Sequence, residues 1–253
     1  MRKPFFSIIT PVLNGQKFID HTIKSVINQN YKDFEYIIID GGSTDKTKEI
    51  ITKYGVKIDR FISEKDSGMY DAIKKGFDLS RGKYFLWLNS DDFLINNNVL
   101  NNIKNYLVKK PKVEWLVGKP SYKFESIKKI YSVIPYKYPQ WIIQKGFAHN
   151  CGWGFIQQES TVFSNNLYQK CGGINTDYKM ASDYYLWKSF SNYTGLETVN
   201  IHVGVQRKWK GQLQNDLLYY YKEIKKKKCH FSFLKILRLL YSLVFFPITY
   251  FKK

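Results

Sequence analysis

The chain has 253 residues, 44% hydrophobic and 17% aromatic, which is enough to bury one large core and too apolar for a disordered chain. Forty basic residues against 21 acidic ones give a net charge of +19, which suits a polyanionic partner: nucleic acid, an anionic membrane face or a phosphorylated ligand. Three widely spaced cysteines (Cys151, Cys171, Cys229) with no CxxC pair exclude a zinc ribbon and a disulfide framework. They fit a reducing compartment. No signal peptide is recognisable, and no run of about eighteen uncharged apolar residues predicts a membrane-spanning helix.

In chain order, Phe5 to Thr10 reads as a short buried parallel strand ended by Pro11. Phe18, Ile19, Ile23, Val26 and Ile27 then recur at helical spacing. Tyr36 to Ile39 is a second buried strand, closed by Asp40-Gly41-Gly42. Ser43 or Thr44 is placed to cap the next helix, with Asp45 in its first turn. Asp59 to Ser63 gives a third strand, Met69 to Leu79 a third helix, and Lys83 to Leu88 a fourth strand that runs into Asn89-Ser90-Asp91-Asp92. Residues 113–165 mix short strands with aromatic loops. Residues 175–192 contain Asp183 and a further helix. This alternation predicts an α/β fold: a Rossmann-like, mostly parallel sheet with helices on both faces. Ligands of such sheets bind beyond the carboxyl ends of the strands. Asn14, Asp40, Asp66 and Asp91-Asp92 each follow a strand and are therefore predicted to form one site.

An isolated Asp-Asp pair is most often a helix cap in a solvated loop. After a fourth strand, and facing other carboxylates, it suits a divalent cation instead. Hard ions such as magnesium and manganese take oxygen ligands and keep positions open for phosphate oxygens. Asp40 alone would also suit a dinucleotide ribose. That fold needs a GxGxxG turn, however, and the first strand is followed by Asn14-Gly15-Gln16. A GxxxxGK phosphate loop is also absent. A metal-bridged diphosphate accounts for nucleotide binding without either glycine-rich device.

Five segments together carry a resemblance: SIITPVLNG (Ser7–Gly15), IIIDGGSTDKT (Ile37–Thr47), SEKDSGMYDAIKKG (Ser63–Gly76), RGKYFLWLNSDD (Arg81–Asp92) and QQESTVFSNNLYQKCGGINTDYKMASDYYLW (Gln157–Trp187). The sequence resembles an inverting family 2 glycosyltransferase of the GT-A fold across roughly residues 5–215. The resemblance implies that Thr10, Pro11 and Asp40 hold the nucleotide base, and that Asn14 and Asp66 line the same pocket. It implies that Asp92 binds the metal, Mn2+ or Mg2+, and that Asp91 binds ribose or metal. Asp183 falls on the catalytic base; its local reading is a helix N-cap. Gln158 and Glu159 match a segment on the acceptor side. Many similar enzymes carry a carboxylate where Asn89 stands. Gln206-Arg207-Lys208-Trp209 does not match the QxxRW spacing of processive synthases, which favours transfer of a single sugar. The implied donor is a nucleotide-diphosphate sugar, preferentially a UDP-sugar. The implied acceptor is a saccharide or lipid-linked saccharide. Of the histidines, His21 reads as structural, and His202 is a minor candidate for the metal.

Residues 1–215 are thus predicted as the catalytic domain and residues 216–253 as a membrane-associating tail. Lys225 to Lys228 precede a mostly apolar stretch interrupted by Lys235 and Arg238, which fall with Ser242 on one helical face. The uncharged part, Leu239 to Phe251, is 13 residues and contains Pro247. A spanning helix needs about 20, so an amphipathic helix lying on an anionic membrane surface through residues 225–251 is expected. This predicts a cytoplasmic protein held peripherally at the cytoplasmic leaflet. From Lys222 to Lys253 there are nine basic residues and one acidic, so +8 of the charge lies in those last 32 positions. A nucleic-acid-binding protein is the competing reading of the charge, and an inactive membrane scaffold a weaker one. No nucleic-acid motif is present, so no nucleic-acid partner is predicted. The sequence leaves the oligomeric state open.

Overall fold

Three of the four strands in the first ninety residues are buried on both faces, and the two faces alternate along the first and the fourth. Phe6 and Ile8 face one layer and Ile9 the other; Tyr84 and Leu86 oppose Phe85 and Trp87. A computed structural model describes residues 3–133, 135–149, 152–212 and 217–225, together with 233, 236–238, 240 and 241. The elements are β1 (Phe6–Val12), α1 (Ile19–Ile27), β2 (Phe34–Asp40), α2 (Thr47–Thr52), β3 (Arg60–Ser63), α3 (Met69–Leu79), β4 (Tyr84–Trp87), β5 (Phe93–Leu94), α4 (Val99–Lys109), β6 (Trp115–Lys119), β7 (Ser121–Phe124) and β8 (Tyr131–Ser132). They continue with α5 (Gln140–Gln144), β9 (Thr161–Ser164), α6 (Asn165–Lys170), α7 (Ser182–Phe190), β10 (Glu197–His202), β11 (Gly204–Lys208) and α8 (Leu217–Glu223).

The main sheet has seven strands in the order β10-β6-β9-β4-β1-β2-β3. Strands β4, β1, β2 and β3 are mutually parallel, as expected from the alternating pattern. Strand β9 runs antiparallel to both neighbours, β4 and β6. A smaller sheet, β5-β11-β7-β8, packs beside it. One core lies between the main sheet and α1 and α4. The other lies under α3, α5, α6 and α7, where Phe85, Trp115, Phe163, Trp187 and Phe190 meet.

Two local expectations are corrected. Strand β1 does not end at Pro11 but continues to Val12, with Pro11 opposite Ile39 and Val12 opposite Asp40. The β4 pairing stops at Ile9 opposite Trp87, and the Leu88 amide donates to the Ile9 carbonyl. Pro11 therefore turns its nitrogen toward β4 where the ladder has ended, and the missing N–H costs nothing. The cap of α2 is not Ser43 or Thr44. Asp45 Oδ1 accepts from the Thr47 amide (3.0 Å) and hydroxyl (2.5 Å), while Ser43 turns back onto Asp40.

Phe163 is fully buried and touches Phe77, Phe85, Tyr168, Trp187 and Phe190 at ring-centroid distances of 5.1–6.0 Å. Phe163→Ala is expected to cost about 3–5 kcal/mol through lost burial and the cavity left behind. The check is a urea unfolding curve, in which the midpoint falls while the slope is unchanged.

Candidate active site

The carboxyl ends of β1, β2, β3 and β4 carry the polar and acidic residues expected there. Asp40 ends β2 with its side chain fully buried. It accepts from the Ser43 amide (3.1 Å) and hydroxyl, and from the Ser63 hydroxyl on β3 (2.6 Å). Asn14, at φ 51°, accepts from the Thr44 amide at 2.9 Å, and its own amide donates to Ser43 Oγ at 2.7 Å. The ends of β1 and β2 are thereby sewn together. Asp66 follows β3 and lies against Gly41, where any Cβ would collide with its carboxylate. Burial raises the Asp66 pKa above its ordinary value, with Asp71 and Asp40 adding to the rise. Thr10 and Pro11 are buried in β1, and the Thr10 hydroxyl is 3.1 Å from the Tyr36 hydroxyl. The Thr10 side chain is thus committed to the core.

The second half of the site is built around β4. The antiparallel course of β9 puts its first residues at the carboxyl end of β4. The helical turn Gln158–Ser160 just before β9 consequently sits on Asn89 and Asp92. Gln158, expected on the acceptor side, is a buried clamp: its amide donates to the Trp87 carbonyl, and its carbonyl accepts from Asn89 Nδ2 at 3.1 Å. Asn89 also accepts from the Trp87 indole at 2.7 Å. An amide serves here because the position must both donate and accept, which a carboxylate cannot do. Glu159, also expected on the acceptor side, is buried near Asp92. Its Oε1 accepts from Gln206 Nε2 at 2.9 Å, and its carboxyl group is also hydrogen-bonded to that of Asp92.

Asp92 is buried and accepts from the Arg207 amide at 2.8 Å. Burial, then repulsion by Glu159 and Asp91, hold its pKa well above the carboxylate range. Burial also raises that of Glu159. Asp91 Oδ2 accepts from the Trp209 indole at 2.8 Å and from Gln212 Nε2 at 2.7 Å. The Arg207 guanidinium lies between the rings of Phe18 and Phe93, at 4.9 and 4.6 Å. Lys208 is pulled below its ordinary pKa by burial and is opposed in this by Glu159, Asp92 and Asp91. Two cations thus stand beside three carboxylates.

Asp183 lies in the first turn of α7 and is not its cap, which is Ala181. Its Oδ1 accepts from the Tyr184 amide at 2.7 Å and from the Tyr70 hydroxyl at 3.5 Å. Burial pushes its pKa up from 3.8 to about 6, with Glu159 adding to the rise. Tyr70 opens α3 just beyond Asp66, so the two halves of the site meet there. His202 is elsewhere: its Nδ1 is 3.3 Å from Ser132 Oγ. His21 is structural, edge-on to Phe93 and bonded to Arg207. The sequence had given no role to Tyr70, Trp209 or Gln212. Trp209 entered only as the end of a stretch that misses the QxxRW spacing.

The carboxyl groups of Asp91, Asp92 and Glu159 all offer hard oxygen donors. No group of three metal-ligating side chains is gathered closely enough to hold an ion among the described residues. One or two carboxylates plus substrate phosphates is nonetheless the usual manner of holding magnesium, and this donor set fits it.

A nucleotide-type α/β sheet with an acidic pair after its fourth strand is the GT-A architecture, and the chain belongs to Glycosyl transferase family 2, whose model matches residues 7–162. Among curated relatives, an uncharacterized glycosyltransferase of Rickettsia prowazekii is 30% identical over 202 residues, covering 74% of this chain and 58% of the relative. The chain thus spans little more than half the length of that protein. A PGL/p-HBAD biosynthesis glycosyltransferase of Mycobacterium tuberculosis is 36% identical over 110 residues, covering 42% of this chain and 43% of the relative. Among solved structures, S. aureus TarS 1-349 in complex with UDP-GlcNAc superposes with a TM-score of 0.67 at 18% identity, covering 85% of this chain and 61% of that one. The mannosyltransferase PcManGT from Pyrobaculum calidifontis, in complex with GDP-Man and Mn2+, gives 0.64 at 17% identity, covering 90% and 66%.

The raised pKa of Asp183 has a stability consequence. Unfolded, the group titrates near 3.8; folded, near 6. Its contribution is therefore most favourable below about pH 4 and is lost as the pH rises through about 6. Asp183→Asn is expected to stabilise the protein at neutral pH by on the order of 1–3 kcal/mol, and to leave it unchanged near pH 4. Thermal melts at the two pH values check this.

Proposed function

We propose that this protein transfers a single sugar from a nucleotide-diphosphate sugar to a saccharide or lipid-linked saccharide hydroxyl, with inversion at the anomeric carbon. The observation that carries the proposal is the meeting of Asp91-Asp92 and Asp183 at the carboxyl edge of one sheet, with Tyr70 and Glu159 between them. The ligands of the structural neighbours, UDP-GlcNAc and GDP-Man, support a nucleotide-sugar donor. We read Asp40, Asp66 and Asn14 as the nucleotide side of the pocket, with Thr10 and Pro11 contributing main chain only.

Asp183 is the base. With a pKa of about 6 it is mostly ionised at neutral pH, yet basic enough to accept a hydroxyl proton. The acceptor oxygen forms its bond to the anomeric carbon as the bond to the diphosphate oxygen breaks. The electron pair leaves with the diphosphate. Arg207 and Lys208 lie where positive charge offsets that gain. Tyr70 holds the carboxylate of Asp183 in place and stabilises its ionised form. A bound Mn2+ or Mg2+, held by Asp92 and Asp91, would supply further charge neutralisation on the leaving diphosphate.

Asp183→Asn is expected to lower kcat by about 10²–10⁴-fold while UDP still raises the melting temperature in the presence of manganese. Asp92→Asn is expected to lose that manganese-dependent shift as well as activity. A thermal-shift panel of UDP, GDP and their sugars, with and without the metal, combined with a transfer assay, reads both. A protein that no diphosphonucleotide stabilises would refute the proposal. The acid limb of kcat/KM is expected near pH 6, and Tyr70→Phe should move it upward, because the hydroxyl favours the ionised carboxylate. A limb that Tyr70→Phe leaves in place removes that role from Tyr70.

A further inference from the structure

Beyond the site, residues 233, 236–238, 240 and 241 are helical. Two of them bind the catalytic domain. Arg238 Nη1 donates to the Trp153 carbonyl at 2.9 Å, its guanidinium lies 4.3 Å from the Tyr136 ring, and Tyr241 packs edge-on to Trp153 at 5.7 Å. Gly154 makes this approach possible, since a Cβ there would strike both Arg238 Nη1 and the Tyr136 hydroxyl. Arg238, expected on one basic face of the helix with Lys235 and Ser242, is thus turned to the protein.

Among the described residues of this segment, those left outside are apolar. Phe233, Ile236, Leu237 and Leu240 are 65%, 42%, 37% and 55% exposed. Their spacing of i, i+3, i+4 and i+7 makes one continuous helical stripe. Phe155, 40% exposed, lies next to the same anchor. Four large apolar side chains in a row do not stay in water without a partner. The surrounding sequence states the sign of that partner: nine basic residues and one acidic between Lys222 and Lys253, among them Lys225 to Lys228. Lysines 226–228 and most of the tail lie outside the described residues, so the charge is read from sequence and the stripe from the structure.

The geometry points to an anionic lipid bilayer as the occupant of this stripe, with Phe233, Ile236, Leu237 and Leu240 entering the interface and the lysines meeting the headgroups. Docking on this face also orients the active site. Phe155 stacks edge-on with Tyr220 at 5.4 Å, and Tyr220 is close enough to Asp183 that its pKa rises through burial and then through that charge. The segment Trp153–Phe155 thus touches the docking helix on one side and the surroundings of the base on the other. An acceptor anchored in the bilayer would reach Asp183 from that side. This last step rests on the function proposed above; the docking surface does not.

The test is flotation of the full chain with vesicles of phosphatidylcholine alone, and of phosphatidylcholine mixed with phosphatidylglycerol. The wild type is expected to float with the anionic vesicles, less so with added salt. L237E/L240E should lower the partition at least about tenfold. The variant should keep the solution mass of the wild type and its UDP-induced thermal shift, since neither leucine lies in the site. If the double variant does not fold, Leu240→Gln should shift partition in the same direction. A wild type that does not float, or a variant that floats equally well, overturns the proposal. A fall in mass by light scattering, with lipid binding unchanged, assigns the stripe to a second copy of the chain and overturns it too. Loss of the thermal shift in the wild type would count against the donor reading alone.

Discussion

One strand that runs against its neighbours sets the chemistry of this protein. Parallel strands deliver only their carboxyl ends to the ligand edge, and β1 to β4 bring Asn14, Asp40, Asp66 and Asp91-Asp92 there. Inserting β9 antiparallel between β4 and β6 delivers the beginning of a strand to that edge instead. Gln158 and Glu159 arrive with it, and a third carboxylate is pressed toward Asp92 in a buried setting. Without a cation such a cluster is costly, because burial and repulsion both oppose ionisation. The structure meets that cost with Arg207, Lys208 and a backbone amide. A bound diphosphate and cation would change the balance further.

Much of the scaffold was legible because its signals are local. Met69 to Leu79 read correctly as a helix, since Ala72, Ile73 and Phe77 recur at 3.6-residue spacing and all three are buried. Strands β1 to β4 declared themselves as short apolar runs ended by polar residues. What failed was also local, but ambiguous: Pro11 looked like a terminator because sequence does not show which side of a strand is unpaired. Ser43 looked like a cap because its alternative partner, Asp40, required knowing the turn.

The site was half legible for a different reason. Asp40, Asp66, Asp91 and Asp92 follow strands, so topology alone gathers them. Asp183 depends on a nonlocal approach of α7 to α3, and only family resemblance singled it out. The burial of Glu159 beside Asp92 was not legible, because a four-residue buried run such as TVFS carries no sign of its direction. The contacts of Trp209 and Gln212 with Asp91 span 118 and 121 residues, and no spacing rule reaches so far.

Those two contacts make Asp91 a shared seat. In this conformation its Oδ2 is held by an indole N–H and an amide N–H from the turn after β11. A ligand that took this oxygen in place of the turn would give up two hydrogen bonds to a charged group, each about 1.5–3 kcal/mol. For such a ligand, occupancy of the pocket and position of the turn would be coupled. The ligand's apparent affinity would then be its intrinsic affinity reduced by the fraction of molecules in which the turn leaves Asp91. Trp209, leaving a carboxylate for a new environment, would report that motion in its own emission spectrum.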